Sequence, residues 1–455
     1  MGKDYGRAIG LAARVLDGWL PHKIRYDRLP ALSAGIMHGG KLVYARGFGL
    51  ADVASGRPAT AETCYRIASI SKSFTAVAVL QLAAKGKLRL DDPIQRHLPW
   101  FRARVGRSSA AALTIRQALS HTAGVFRDGI TPHWETGAFP DLAGLKASVP
   151  RALVVENLTR FKYSNFGYAL LGQAIAKAAG TTYDRYVMRA IVRKLGMTRT
   201  APDLTRASLA WLATGYSRPI PDVPRAAFGH EATRAYAPAT GFLSNVPDLA
   251  RYLAALSLAR NAGAILDRES RKEMMREHWA TGEGSESYAL GLAVNRIEGR
   301  RIVGHGGGFP GFITQVALDH ENDIGVIVLT NTNDSTAGPI ATGILETIYR
   351  LADEPERFDA GPRLAGARYA GCYRSRWEDQ VVVALDRTLL AFGAQVHSPG
   401  RFGTVLRPAG RHRFVMDSRM NYASPGELAT FTVPAGRRRA ARLLWGAQPA
   451  ERLDG

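Results

Sequence analysis

Apolar positions along this chain follow two different periods, and the switch between them outlines its organisation. Behind Met1-Gly2-Lys3-Asp4-Tyr5-Gly6-Arg7 runs an amphipathic helix pattern broken by Arg14 and Asp17. Residues 33–38 and 41–48 read as strands flanking Gly39-Gly40, which predicts a hairpin between Leu32 and Gly49. From Phe74 the chain becomes an almost wholly apolar helix ending at Lys85-Gly86. Thr114-Ile115-Arg116-Gln117 has the form of a capping box opening a short helix into Leu119-Ser120-His121. Helices are expected over 166–179 and 183–195, each closed by a glycine, and Asn245 is placed to cap another over 247–256. Pro132, Pro140 and Pro150 punctuate a polar stretch, 127–160, expected to form loops bordering a cleft.

Strand patterns return at 288–294, 301–303, 312–318 and 325–329. Early strands, a helical middle and late strands predict an α+β fold: an antiparallel sheet built from both ends of a domain, with helices packed against it. A polar stretch, Leu351 to Pro362, reads as a linker. Beyond Tyr369-Ala370-Gly371-Cys372-Tyr373, short strands at 380–384, 388–391, 413–416, 430–433 and 441–444 suggest a small barrel or sandwich. The expected division is therefore 1–352 and 366–455.

Composition narrows the function. The net charge of +21 invites a nucleic-acid reading. Between Arg401 and Gly455 ten arginines face four acids, including Arg437-Arg438-Arg439. No helix-turn-helix, RNA-recognition signature or zinc finger accompanies that charge, so a solvated basic surface is expected and no nucleic-acid partner. Cys64 and Cys372 stand alone, which supports no disulfide framework, and no ligand spacing points to a metal or cofactor. With no apolar run long enough for a bilayer and no signal-peptide pattern at Met1, a cytoplasmic location is expected.

Candidate chemistry begins at Ser69-Ile70-Ser71-Lys72. Three residues apart on a helix, the Lys72 amine can reach the Ser69 hydroxyl and take part in removing its proton. If Ser69 begins that helix, free N–H groups favour negative charge forming beside it. Two later motifs complete an ordered triplet: Tyr163-Ser164-Asn165, just before a helix, and His305-Gly306-Gly307-Gly308, a glycine-dense turn entering a strand-like run. His121 beside Ser120 is expected to serve the helix end, because adjacent helical residues do not face each other.

In this order and spacing the motifs resemble the penicillin-recognising serine hydrolases: class C β-lactamases, DD-peptidases, D-aminopeptidases and family VIII esterases. The likeness runs from about Leu32 to Tyr349 and is reinforced by Leu119-Ser120-His121-Thr122-Ala123-Gly124-Val125, Asp91-Asp92-Pro93 and Gly241-Phe242-Leu243-Ser244. It implies an antiparallel sheet flanked by helices with an all-α lobe. The C-terminal region resembles the lipocalin-like domain that some D-aminopeptidases carry. By the resemblance, Ser69 is the nucleophile, Lys72 and Tyr163 move its proton, and Asn165 meets the substrate's acyl-side carbonyl or holds Lys72. His305, Gly307 and Gly308 line the substrate side, with the Ser69 and Gly308 amides as the oxyanion hole. Tyr163 needs cationic neighbours to act as a base, and Lys72 and His305 are the candidates.

The chain departs from the β-lactamase pattern where His305-Gly306-Gly307 replaces Lys-Thr-Gly. Recognition of a free carboxylate there is expected to weaken, unless an arginine such as Arg301 supplies the charge from elsewhere. The expected activity is acyl-enzyme hydrolysis of a small ester, amide or short peptide. A β-lactamase or DD-carboxypeptidase and a catalytically silent scaffold are the alternatives.

Overall fold

The computed structural model describes residues 3–453 apart from 107, 261–262, 283–285, 334–335, 360 and 420–423. Packing divides the chain into two units: Pro30–Gly338, and the first 29 residues together with everything from Pro339 onward.

In the Pro30–Gly338 unit, the expected hairpin forms from β1 (Ala31–His38) and β2 (Lys41–Asp52), turning at Gly39-Gly40, whose φ values of +58° and +71° suit glycine. Next come β3 (Arg57–Pro58), β4 (Trp279–Ala280), β5 (Ser287–Tyr288), β6 (Ala293–Ile297), β7 (Arg300–Phe309), β8 (Phe312–Asp319) and β9 (Ile324–Thr330). These nine strands make one antiparallel sheet in the order β4-β5-β6-β7-β8-β9-β1-β2-β3. Both ends of the unit therefore meet at its centre, where β1 pairs with β9 from Leu32↔Thr330 to His38↔Ile324. β9 is buried at every position, as a central strand covered on two faces should be.

The principal helices in front of this sheet are Ser71–Ala84, Asn165–Ala179 and Val246–Leu256. Ser164 and Asn245 cap the second and third through their side chains, and Gly180 at φ +64° ends the second. The capping box at Thr114 forms as expected. Three expectations need correction. The Ser71–Ala84 helix starts after Ser69, which sits in a single 3₁₀ turn, Ala68–Ile70. The helix expected over 183–195 breaks after Val187 into a wide π-type turn, Met188–Val192. His305-Gly306-Gly307-Gly308 is strand rather than turn: β7 runs through it to Phe309, and the chain reverses at Pro310-Gly311.

In the other unit, Tyr5–Tyr26 and all but the first two residues of Ala337–Asp353 are helices. Part of the expected linker is thus helical, including Pro355–Phe358, and Ala360 lies outside the described residues. Eight antiparallel strands between Gly371 and Arg452 close into a barrel, each pairing with its neighbour in sequence. Strands at Gly371–Arg374, Thr404–Pro408 and Gln448–Arg452 join those expected. Tyr369, Tyr373, Phe414 and Phe431 pack together within its apolar cluster, with ring centroids 4.9–5.7 Å apart. Among the described residues no helix is long and apolar enough to cross a membrane.

The N-terminal helix is tied to the barrel by buried donors. The Trp19 indole donates to the Val396 carbonyl at 3.1 Å and the Lys23 amine to that of Gln395 at 2.9 Å. Truncation after Pro362 removes both acceptors. An unsatisfied buried donor costs about 1–3 kcal/mol, so the shortened chain is expected to lose several kcal/mol or to aggregate. A thermal melt coinciding with that of the full chain would show that these ties contribute nothing.

Candidate active site

Ser69 lies at the front end of the Ser71–Ala84 helix. From Ile67 to Phe74 it is the one position that reaches solvent, being half-buried while its neighbours are buried. Preceding it, Ala68 takes φ +46°, an uncommon conformation for a residue with a Cβ, which turns the backbone sharply into the helix. Ser71 helps hold this turn: its hydroxyl donates to the Ala68 carbonyl at 2.5 Å and accepts from the Phe242 amide at 3.0 Å.

One turn on, the Lys72 amine is fully buried and meets three oxygens: Ser69 Oγ at 3.0 Å, Asn165 Oδ1 at 2.7 Å and the Ala239 carbonyl at 2.9 Å. Burial holds this amine well below the usual lysine range. Asp128 opposes that shift and the Arg127 charge adds to it. In the neutral amine the two N–H groups must go to Asn165 Oδ1 and Ala239 O, which only accept. That leaves the lone pair facing the Ser69 hydroxyl. Asn165 cannot swing away, because its Nδ2 donates to Asp128 Oδ1 at 2.6 Å.

Tyr163 comes from the segment ahead of the Asn165–Ala179 helix, and its phenol faces the Ser69 hydroxyl. Burial raises the phenol above its ordinary range, against which the Ser69 hydroxyl and the Arg127 charge act. The Lys72 amine lies 4.7 Å from the ring centroid and the Arg127 guanidinium carbon 5.4 Å. His121 packs on the same ring at 4.3 Å, and its Nδ1 accepts from the Ser164 amide at 3.0 Å. It thus holds the Tyr163 segment in place.

β7 forms the facing wall. Pairing with β6 ends at Gly304, so residues 305–309 have a free edge, and this edge lies against the Ala68–Ile70 turn. Phe309 and Phe312 close a two-residue turn. The alternation of an antiparallel ladder then directs the Gly308 amide away from β8, to that free edge. A Cβ on Gly307 would collide with the Ile67 carbonyl, so this glycine sets how closely the strand approaches Ser69.

His305 is buried, with both ring nitrogens engaged. Nδ1 is 2.5 Å from the Gly306 carbonyl, which can only accept, so Nδ1 carries the proton and Nε2 accepts from the Tyr288 hydroxyl at 2.9 Å. Burial lowers its pKa to about 3. This corrects the expectation that His305 could be one of the cations easing Tyr163's ionisation. Arg301 lies out of play as well, with Glu277, the Met275 carbonyl and His320 as its partners. Sequence reasoning missed Tyr288, Asp128 and Arg127, whose roles arise only from contacts across the fold. No group of His, Cys, Asp and Glu suited to a metal occurs among the described residues.

Residues 17–347 match the family described as Beta-lactamase. The chain belongs to that family. Protein flp of Staphylococcus aureus (strain N315) is 28% identical over 328 residues, which cover 70% of this chain and 63% of flp. The chain thus spans under two thirds of that relative's length. Esterase EstB of Burkholderia gladioli is 33% identical over 207 residues, 42% of this chain and 51% of EstB. In fold, the chain is similar to the octameric penicillin-binding protein homologue from Pyrococcus abyssi. That likeness has a TM-score of 0.64 at 24% identity, covering 96% of this chain and 99% of that one.

Burial of a neutral His305 sets a pH dependence. An unfolded histidine titrates near 6.5, while the folded one does so at about 3. Between those values the unfolded chain holds the extra proton, so stability falls as pH drops, by up to about 1.4 kcal/mol per unit. His121, lowered by burial, acts in the same direction. Urea midpoints from pH 7 to 4.5 should show a shallower loss for His305→Gln than for the unaltered chain. Parallel curves would place the acid sensitivity elsewhere.

Proposed function

We propose that this chain hydrolyses a small ester or amide through an acyl-enzyme on Ser69, with esterase or D-aminopeptidase/amidase-type substrates. The observation that carries the reading is the buried Lys72 amine held by Asn165 and Ala239 with Ser69 as its third contact. Deprived of solvent, that amine is a base at neutral pH. Lys72 takes the Ser69 proton as Ser69 Oγ bonds to the substrate carbonyl carbon. Negative charge on the carbonyl oxygen is met by the Ser69 and Gly308 amides. Tyr163 gives its proton to the departing oxygen or nitrogen and regains one from Lys72, leaving both as they began. Water then follows the same route to release the acid. Tyr163 acts here as a relay rather than as the first base, because burial raises its pKa while lowering that of Lys72.

The likeness to esterase EstB supports the ester side of this reading. The strand motif itself gives no support to a β-lactamase or DD-carboxypeptidase. Such enzymes carry a lysine where this chain has the neutral, fully engaged His305, and Gly306 offers no hydroxyl.

A fluorophosphonate probe is expected to label Ser69, as read by peptide mass mapping, and Ser69→Ala to abolish both labelling and turnover. Adducts at Ser71, Ser73 or Ser120 would overturn the assignment. Lys72→Ala and Tyr163→Phe should each lower kcat by about 10²–10⁴-fold. Since the two pass one proton between them, the double variant should lose little beyond the worse single one. Fully additive losses would show that they act separately.

A further inference from the structure

Two cations on the segments that carry and cover Tyr163, Arg127 and Lys162, take no step in the chemistry above. Arg127 is exposed over two thirds of its side chain, yet it is anchored where it stands. Its carbonyl accepts from the Asn165 and Phe166 amides at 2.7 and 3.0 Å, so its backbone is fixed to the segment carrying Tyr163. Its guanidinium carbon lies 5.4 Å from the Tyr163 ring centroid, and its Nε pairs with Asp128 Oδ2 at 3.2 Å. Lys162 flanks the same tyrosine in sequence and is half-buried, and its backbone amide is held by the His121 carbonyl at 2.8 Å. Burial and then the Arg127 charge both push the Lys162 ammonium below its ordinary range, as expected of two cations near each other.

Against these two charges stands one carboxylate, and it is largely committed. Asp128 Oδ1 already accepts from Asn165 Nδ2 at 2.6 Å and from the Trp134 indole at 2.8 Å. Among the described residues neither Nη group of Arg127 nor the Lys162 ammonium has a hydrogen-bond or ion-pair partner. Two neighbouring cations with donors to spare, fixed by backbone bonds beside a reactive hydroxyl, are arranged to receive an anion. On the opposite wall, His305 has no charge to offer one.

We propose that Arg127, assisted by Lys162, binds a carboxylate on the leaving-group half of the substrate, so that this hydrolase prefers esters or amides whose leaving group is anionic. The inference rests on the acyl-enzyme reading above. It places the anion on the leaving-group side because Arg127 covers Tyr163, the residue that hands a proton to that group. The strand motif, which lost its lysine, is thereby replaced from across the cleft.

The test compares kcat/KM of the purified full chain on phenyl acetate and on 3-carboxyphenyl acetate. The carboxylate ester is expected to be favoured by about tenfold or more, the worth of one charge-assisted hydrogen bond. Arg127→Gln should lower the ratio of the two values by about tenfold, and Arg127→Lys should restore part of it, which a merely structural role would not produce. Equal turnover of the two esters, or a ratio unchanged by Arg127→Gln, would overturn the proposal. So would a preference for phenyl hydrogen succinate, whose anion lies on the acyl half. Fluorophosphonate labelling of Ser69 is run alongside. If Ser69 labels and the ratio fails, the anion site alone is wrong, whereas absence of the label removes the acyl-enzyme reading itself.

Discussion

An amine taken wholly out of water must find an acceptor for every hydrogen it keeps, and that requirement at Lys72 organises the site around it. Its partners come from the 3₁₀ turn at Ser69, the helix start at Asn165 and the wide turn at Ala237–Gly241 that presents the Ala239 carbonyl. Each partner is fixed in turn. Asn165 is held by Asp128, and the turn after Tyr236 packs on the Ser71–Ala84 helix, where Thr75 donates to the Pro238 carbonyl at 2.7 Å. Keeping an ion buried costs several kcal/mol even with good partners, so the same burial that shapes the site makes the neutral amine its resting form.

Much of this was legible in the sequence because the signals are local. A glycine pair specifies the β1–β2 turn, and Ser164, Asn245 and Thr114 cap helices with their own side chains. The Ser69-to-Lys72, Tyr163-to-Asn165 and His305 segments, far apart in the chain, are brought together around the Ala68–Ile70 turn. What escaped depends on tertiary contact. Three consecutive glycines read as a turn. They are strand, paired along β8, and Gly307 is needed there because only a residue without Cβ passes the Ile67 carbonyl. Whether Ser69 begins the helix stays open in the sequence, because nothing in Ala68 announces its positive φ. His305 lost its expected charge to burial, and its Nε2 is met by Tyr288, a partner seventeen residues upstream whose role no spacing rule encodes.

The barrel shows the same limit from another side. Thr404–Pro408 is buried over its first three residues and Gln448–Arg452 only at Ala450, so neither shows the alternation that marks a strand in a sequence. Closure supplies what the segments lack. Each strand has two neighbours, no edge is left to pair with another chain, and the aromatic cluster fills the space enclosed.

The three partners of Lys72 lie at positions 69, 165 and 239, so no stretch of chain shorter than that brings them together. On the acyl-enzyme reading proposed above, the Ser69 hydroxyl gains its base only after some 170 further residues have been made and folded onto its turn. On that reading, a covalent reagent for this serine would report on maturation as well as chemistry. In a mixed population, the labelled fraction counts molecules whose long-range packing is complete, independently of whether any substrate is known.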